Sequence, residues 1–247
     1  MKPNKLMTVL GLAMTALLMT AYPGYGQKQN KPDKLDKLSR AQRKQGWTLL
    51  FNGKDLQGWH IYLKPQAKPG WTVVDGAIQT DVNNGGVRGD LVTDGEYQNY
   101  ELMLQWKITK GGNSGIIFNV DEDPKYPATY ITGPEMQVLD NVDASDNKKA
   151  SHLAGSLYDL IPADPKAVHP AGQWNTVRIR VDNGHLTFWM NGSKVVDTQM
   201  WDKKWKDMVA HSKFSHWPEF TTYKKGHIAL QYHGGEVLYR NIRIREL

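Results

Sequence analysis

The sequence predicts an all-β protein, a two-sheet antiparallel sandwich that contains only short helices. From Trp47 onward, apolar and polar residues alternate with a period of two, which is the pattern of strands with one buried face. Clusters of Gly, Asn, Asp and Pro interrupt the alternation about every eight to twelve residues, as in sandwich proteins. No long segment carries a helical period, and no repeat at solenoid or propeller spacing is found.

The strongest strand signals come from two segments. In YELMLQWKI (100–108) the Leu, Leu, Trp and Ile side chains fall on one face. The segment NTVRIRVDNGHLTFWMNGSKVVD (175–197) contains Asn-Gly pairs at 183–184 and 191–192, and Asn-Gly favours two-residue hairpin turns. It is therefore predicted to form a three-strand antiparallel meander.

The last segment, HIALQYHGGEVLYRNIRIREL, is predicted to form a further hairpin through Gly234 and Gly235. Its second strand would place one set of side chains in a single register, namely Leu238, Arg240, Ile242 and Ile244. Two short helices are also expected, one following Ser39 as its cap and one over residues 202–211.

The chain divides into three parts. Residues 1–26 resemble a signal peptide, with a basic start, an apolar run of about 16 residues and small residues at 24–26. The apolar run is short for a membrane-spanning helix, which needs roughly 20 residues. Residues 27–45 are expected to form a basic flexible tail that includes the short helix after Ser39, and residues 46–247 a single β-sandwich domain. This organisation predicts a periplasmic or secreted protein without a membrane span after cleavage; the alternative is an uncleaved anchor.

The cysteine content and the distribution of charge argue against a disulfide-stabilised fold and against a nucleic-acid-binding protein. The chain has no cysteine, so its fold cannot depend on disulfides. The first 26 residues contribute two lysines and residues 27–45 a net charge of +5, which leaves −1 of the total of +6 for residues 46–247. A nearly neutral domain is not expected to bind nucleic acid.

The stretch GPEMQVLDN (133–141) places polar residues where a buried strand would carry apolar ones. Met136 and Val138 are expected to face the core, so Glu135 and Gln137 point together to the opposite face. We expect them on the floor of a cleft, although an ordinary solvated face is the alternative.

Three other segments, GGNSGIIF, SHLAGSLYDL and LQYHGG, carry polar groups beside glycines, where a ligand can approach the backbone closely. The alternatives are turn chemistry and strand-end hydrogen bonding. The candidate substrate-binding residues, in addition to Gln137, are Asn113, Ser114, His152, Tyr158, Gln231 and Arg88, and the candidate catalytic residues are Glu135 and His233.

Aromatic residues are a second signal, because the chain contains nine Trp and eleven Tyr and flat rings stack on sugars. Some of these rings must belong to the core or close the ends of the sandwich. Those in loop-like segments are candidates for the rim of a cleft: Trp59, Tyr126, Tyr130, Tyr158, Trp201, Trp205 and Trp217.

A set of motifs in fixed order resembles the 3-keto-disaccharide hydrolase family over nearly all of residues 46–247. These motifs are LFNGKDLQGW, GGNSGIIF, EMQVLD, AGSLYDLIP, GQWNTVRIRVDNGHLTFWMNG and GHIALQYHGGEVLYRNIRIREL. The resemblance implies a concanavalin A-like jelly roll, export, and action on glycosides oxidised at C3 of the sugar. It also implies a polar cleft formed by Glu135, Gln137, Asn113, His152 and His233. The chain departs from the family pattern at Tyr232, where an Asp is common.

Physical chemistry narrows the mechanism. Ordinary glycosidases use two carboxyl groups, yet the position two after Glu135 is Gln137, and Asp140 has the opposite parity. A 3-keto sugar needs only one base, because its carbonyl acidifies the C2 proton. The hypothesis is that Glu135 or His233 is this base, while the other holds substrate oxygens or a divalent metal ion, a possible cofactor without a recognised motif.

Three other functions remain open from the sequence. A concave sheet with aromatic and amide side chains also suits a non-catalytic, lectin-like carbohydrate-binding module. A conventional glycosidase and a structural surface protein are the further alternatives. In the catalytic and lectin-like cases alike, the expected partner is a carbohydrate.

Overall fold

The computed structural model describes Met1 and residues 37–247. The predicted signal peptide and most of the basic tail therefore lie outside the described residues. In the described part, no helix is long and apolar enough to cross a membrane.

Residues 37–247 form thirteen strands and two α-helices. The elements are α1 Arg40–Lys44, β1 Thr48–Leu49, β2 Trp59–Ile61, β3 Trp71–Val74, β4 Ala77–Thr80, β5 Leu91–Thr93, β6 Tyr100–Ile108, β7 Asn113–Val120, β8 Glu135–Leu139, β9 Asn175–Asp182, β10 His185–Met190, β11 Ser193–Gln199, α2 Lys203–Ala210, β12 His227–Leu230 and β13 Val237–Glu246. Four 3-10 helices lie in the loops, at Thr129–Ile131, Ala150–His152, Pro165–Ala167 and Lys213–His216.

The strands pair into two antiparallel sheets. The larger has the order β11-β10-β9-β6-β13-β4-β3, with β1 also paired to β13, and the smaller has the order β2-β5-β12-β7-β8. Because each strand alternates its side chains, one face of each sheet packs into a shared apolar core. Phe118 of the smaller sheet meets Phe188 of the larger one edge to face, with ring centroids 5.9 Å apart. This arrangement confirms the predicted two-sheet antiparallel jelly-roll sandwich with short helices.

The meander and both short helices form where the sequence predicts them. The turns joining β9 to β10 and β10 to β11 have positive φ at each Asn-Gly pair, as two-residue hairpins require. Helix α1 begins after Ser39, whose hydroxyl accepts a hydrogen bond from the Gln42 backbone N–H. Helix α2 is capped in the same way by Asp202.

The predicted hairpin at Gly234 and Gly235 is wrong. Strand β12 belongs to the smaller sheet and β13 to the larger one, so the two glycines lie where the chain crosses between sheets. Alternation along the sequence cannot distinguish a hairpin from such a crossing, because both join two strands through a short polar segment.

The predicted register of β13 is also wrong. The pairing of β13 with β6 shifts between Arg240 and Arg243, and Asn241 there has φ of 54°. Such a β-bulge adds one residue and reverses the parity of the strand. The buried residues are consequently Val237, Tyr239, Ile242 and Ile244, whereas Leu238 and Arg240 are only half-buried.

Candidate active site

A cavity of about 310 Å³ opens on the face of the smaller sheet that points away from the core. Six of the predicted site residues line it, namely Glu135, Gln137, Asn113, Tyr158, Gln231 and His233. Five of the six come from β7, β8 and the segment after β12, three neighbours in the sheet order, whereas Tyr158 lies in the loop after β8. We call this space the Glu135 cavity.

Glu135 begins β8 and is 7% exposed, whereas Met136 and Val138 on the core side are fully buried. The alternation of a straight strand thus produces the arrangement expected from the sequence. Burial raises the pKa of Glu135 to about 8; the Lys213 ammonium opposes this shift, while the negative charges of Asp90 and Asp146 add to it. At neutral pH this carboxyl group is mostly protonated, and its ionised form is a stronger base than an exposed carboxylate.

Three amide side chains surround this carboxyl group. The side-chain oxygen of Gln137 accepts a hydrogen bond from the Val138 backbone N–H at 3.1 Å, which leaves its NH₂ group as the donor for a ligand. Asn113 Oδ1 is buried and has no hydrogen-bond partner among the described residues. An unpaired buried acceptor costs about 1–3 kcal/mol, and a substrate hydroxyl could satisfy it. The third amide belongs to Gln231, which is 8% exposed.

The loop after β8 supplies a second carboxylate, Asp146, which the strand pattern did not reveal. Its Oδ2 accepts a hydrogen bond from the Tyr158 hydroxyl at 2.8 Å, and its Oδ1 lies 2.8 Å from His152 Nδ1. His152 Nε2 in turn lies 2.8 Å from Asp159 Oδ1, and the His152 ring stacks on Tyr158 with centroids 4.4 Å apart. Hydrogen bonds therefore fix one wall of the cavity.

Lys213 brings a positive charge to the cavity. Its backbone N–H donates to Asp159 Oδ2 at 3.0 Å, and its ammonium lies 4.1 Å from the centre of the Tyr158 ring. Lys213 is exposed along part of its length, but burial of the ammonium lowers its pKa against the opposing effect of the Glu135 carboxylate. Lys213 and Glu135 thus face the same space, and they carry opposite charges when Glu135 is ionised.

Three predicted residues do not line this cavity. The Ser114 hydroxyl is fully buried, where it donates to the Gln231 carbonyl at 2.7 Å and lies 2.7 Å from the Tyr239 hydroxyl. His152 lies behind Asp146, as described above. Arg88 lines a neighbouring cavity of about 260 Å³, called here the Arg88 cavity.

Aromatic rings form the rim. Tyr130 and Trp217 pack together with centroids 5.5 Å apart, and both line the Glu135 cavity as the sequence suggested. Trp201 and Trp205 line a separate, mostly apolar cavity of about 310 Å³, which meets the Glu135 cavity at Phe214 and Trp217. We call it the Trp205 cavity. Two other predicted rim residues, Trp59 and Tyr126, are buried.

Asp146, Lys213 and Phe214 are the lining residues that sequence reasoning missed. They lie in loops, where no periodicity indicates which way a side chain points. One indication of the wall that contains Asp146 was present in the sequence, namely Tyr158 of the GSLYDL motif. Its hydroxyl donates a hydrogen bond to Asp146.

The sequence suggested Glu135 and His233 as ligands of a divalent metal ion, so the neighbouring His, Asp and Glu side chains decide whether a full set of protein ligands is present. Within residues 37–247, no group of three or more His, Asp or Glu side chains is placed to hold a metal ion. If Glu135 and His233 held a divalent ion, substrate or solvent oxygens would have to complete its coordination.

Comparison with known proteins identifies the family. Residues 46–245 match the profile of the 3-keto-alpha-glucoside-1,2-lyase-like domain. The chain belongs to this family. A 3-keto-disaccharide hydrolase of Bacteroides thetaiotaomicron is 35% identical over 246 residues, which covers 89% of this chain and 85% of that protein. The family resemblance found in the sequence motifs is thereby confirmed.

Solved structures agree with this family assignment. A candidate glycosyl hydrolase from Parabacteroides distasonis ATCC 8503 superimposes with a TM-score of 0.80 and is 33% identical, covering 87% of this chain and all of that one. A second candidate glycosyl hydrolase from the same organism has a TM-score of 0.64 and 28% identity, covering 81% of this chain and 99% of that one. These two solved structures thus share the sandwich of this chain.

Proposed function

We propose that this protein is an enzyme that cleaves the glycosidic bond of 3-keto-glycosides by proton abstraction at C2 and elimination, with net hydrolysis. The relative named a 3-keto-disaccharide hydrolase supports the glycoside-cleaving activity. The observation that carries the mechanism is the carboxyl group of Glu135, which is buried, has a raised pKa and faces a sugar-sized cavity beside the Lys213 ammonium.

In the first step, ionised Glu135 removes the proton from C2 of the ring. The electron pair of the C2–H bond becomes the C2=C3 double bond, and the negative charge moves to the C3 oxygen. A base with a pKa near the working pH is best suited to such a transfer. His233, exposed at the mouth of the same cavity, is the alternative base.

The charge that develops on the C3 oxygen needs an electrophilic partner. The ammonium group of Lys213, which lines the cavity, is the proposed partner of this oxyanion. The NH₂ group of Gln137 adds a neutral hydrogen-bond donor. Fixed charges in a partly dehydrated site stabilise an oxyanion more strongly than water does. A lysine here would supply the cationic role that the sequence hypothesis assigned to a metal ion.

In the second step the C3 carbonyl re-forms, the electrons make a C1=C2 double bond, and the C1–O bond breaks. The leaving oxygen takes a proton, for which His233 is the candidate donor. Water then adds its hydroxyl to C1 and a proton to C2, so that the net change is hydrolysis. Stopping before this addition would make the enzyme a lyase.

A conventional two-carboxylate mechanism is less well supported, although Asp146 shares the cavity with Glu135. Both Asp146 oxygens are engaged, one by Tyr158 and the other by His152. A nucleophile or general base needs a free oxygen directed at the reacting atoms. Asp146 is therefore better suited to hold the wall of the cavity.

The test is turnover of a 3-keto-glucoside by the purified protein, followed in D₂O. We expect cleavage with deuterium at C2, no cleavage of the unoxidised glucoside, and loss of activity in Glu135→Gln. Treatment with a chelator would separate a metal-assisted reaction from one that uses Lys213 alone. Binding of an unoxidised glycan without any product would instead support the lectin-like alternative.

The proposal includes export to the periplasm or the medium. It is supported by the basic and apolar character of the first 26 residues. Edman sequencing of the protein recovered from a bacterial periplasmic fraction should begin at Gln27. A chain that retains Met1 in the membrane fraction would contradict cleavage and favour an anchor.

A further inference from the structure

The Arg88 cavity lies directly beside the Glu135 cavity. Tyr130 lines both spaces, and its ring is 40% exposed while it packs against Trp217. An exposed tyrosine ring at the junction of two cavities offers a flat surface on which a sugar can stack.

Asp90 lines the Arg88 cavity and is hydrogen-bonded to the segment that carries His233. Its carboxylate accepts hydrogen bonds from the Thr129 hydroxyl and, at 2.8 Å, from the Tyr232 backbone N–H, one residue before His233. Its charge also contributes to the raised pKa of Glu135. The Arg88 cavity is therefore within electrostatic range of the proposed base.

Two polar side chains of the Arg88 cavity, Arg88 and Lys64, are hydrogen-bond donors with unused capacity. Among the described residues, the Arg88 guanidinium makes one hydrogen bond, to the Val82 carbonyl at 3.2 Å, although arginine has five N–H donors. Lys64 is exposed at the same cavity and forms no ion pair with a described residue. Such donors suit the oxygens of a sugar ring.

We propose that the Arg88 cavity binds the sugar that leaves when the glycosidic bond is cleaved, and that Arg88 thereby selects disaccharides over simple alkyl glycosides. This inference rests on the proposed function. A volume of about 260 Å³ is just below the range of about 300–1,000 Å³ that is usual for drug-sized ligands, which fits a single ring. The Trp205 cavity is larger but is lined mostly by aromatic and aliphatic side chains, so a hydroxyl-rich ring would lose hydrogen bonds to water there without replacing them.

The experiment compares kcat/KM for a 3-keto-disaccharide of glucose with kcat/KM for methyl 3-keto-glucoside. In Arg88→Ala the ratio of the two should fall about tenfold, the effect of losing one charge-assisted hydrogen bond. Arg88→Lys should restore part of the ratio. Lys54→Ala is the matched control, because Lys54 is exposed and lines none of the three cavities.

Ala210→Trp tests the competing location, since Ala210 is an exposed residue that lines only the Trp205 cavity. Its indole would fill that cavity. If Ala210→Trp lowers the ratio and Arg88→Ala leaves it unchanged, the leaving sugar occupies the Trp205 cavity and the inference is overturned.

A binding measurement separates this inference from the proposed reaction. In the Glu135→Gln protein, calorimetry should show tighter binding of the unoxidised disaccharide than of methyl glucoside, and Arg88→Ala should remove the difference. Equal binding of the two sugars would overturn the inference. A binding difference that depends on Arg88, without turnover of any 3-keto-glycoside by the wild type, would contradict only the proposed function.

Discussion

The carboxyl group of Glu135 lies directly over the α-carbon of Gly115 on the neighbouring strand. A β-carbon at position 115 would be 2.0 Å from Glu135 Oε1, far inside van der Waals contact. The glycine of the GGNSGIIF motif therefore has a definite role, since it leaves the space in which Glu135 is buried. Because φ at Gly115 is not positive, the requirement is space rather than backbone conformation.

Gly115→Ala is accordingly predicted to displace Glu135 and to lower kcat by about a hundredfold, because a shift of about 1 Å at a reacting group has a cost of this order. The same change should destabilise the fold less when position 135 is already alanine. A double-mutant cycle of the free energy of unfolding, with Gly115→Ala and Glu135→Ala, measures this coupling. Additive changes would show that the two residues do not constrain each other.

The pH dependence of kcat/KM should identify the base. If ionised Glu135 removes the C2 proton, activity rises with pH and levels off above about pH 8, where burial has placed its pKa. At pH 6 the rate should be lower by about a hundredfold, since about one group in a hundred is ionised there. A profile that instead falls through pH 8 would assign Glu135 as a general acid.

Lys213→Met should lower kcat by about 10²–10³-fold, the usual effect of removing an oxyanion-stabilising group. The Lys213 charge also lowers the pKa of Glu135, so the rising limb of the pH profile should move to higher pH in this variant. Lys213→Arg, which retains the charge, should keep that limb in place. Unchanged kcat in Lys213→Met would remove this lysine from the mechanism.

Glu135 should also make the fold sensitive to pH. Its pKa is higher in the folded protein than in the unfolded chain, so the folded state binds more protons between about pH 4.5 and pH 8. The contribution of Glu135 to the free energy of unfolding is therefore greatest below pH 4.5, and it is lost as the pH rises through 8. Between pH 5 and pH 7 the loss of unfolding free energy is about 2–3 kcal/mol.

Glu135→Gln removes this titration. Urea unfolding should find the variant more stable than the wild type at pH 7, with a smaller difference at pH 5. A pH-independent difference between the two proteins would mean that Glu135 ionises as readily in the fold as in the unfolded chain.

The sequence by itself determined the sandwich, the three-strand meander and the orientation of β8. Period-two alternation is a local property that the backbone imposes on every strand, so it predicts that Glu135 and Gln137 share a face opposite Met136. The Asn-Gly turns are local as well, because positive φ depends on the residues in the turn.

Only the tertiary structure decided which strands are neighbours, where β13 changes parity, and what completes the site. The crossing at Gly234 and the bulge at Asn241 depend on pairing with distant strands. Lys213 and Asp146 reach the Glu135 cavity from loops, whose side-chain directions follow from long-range hydrogen bonds such as the one between the Lys213 backbone and Asp159. Alternation predicts the face on which a strand residue lies, whereas the packing of loops decides which charges that residue meets.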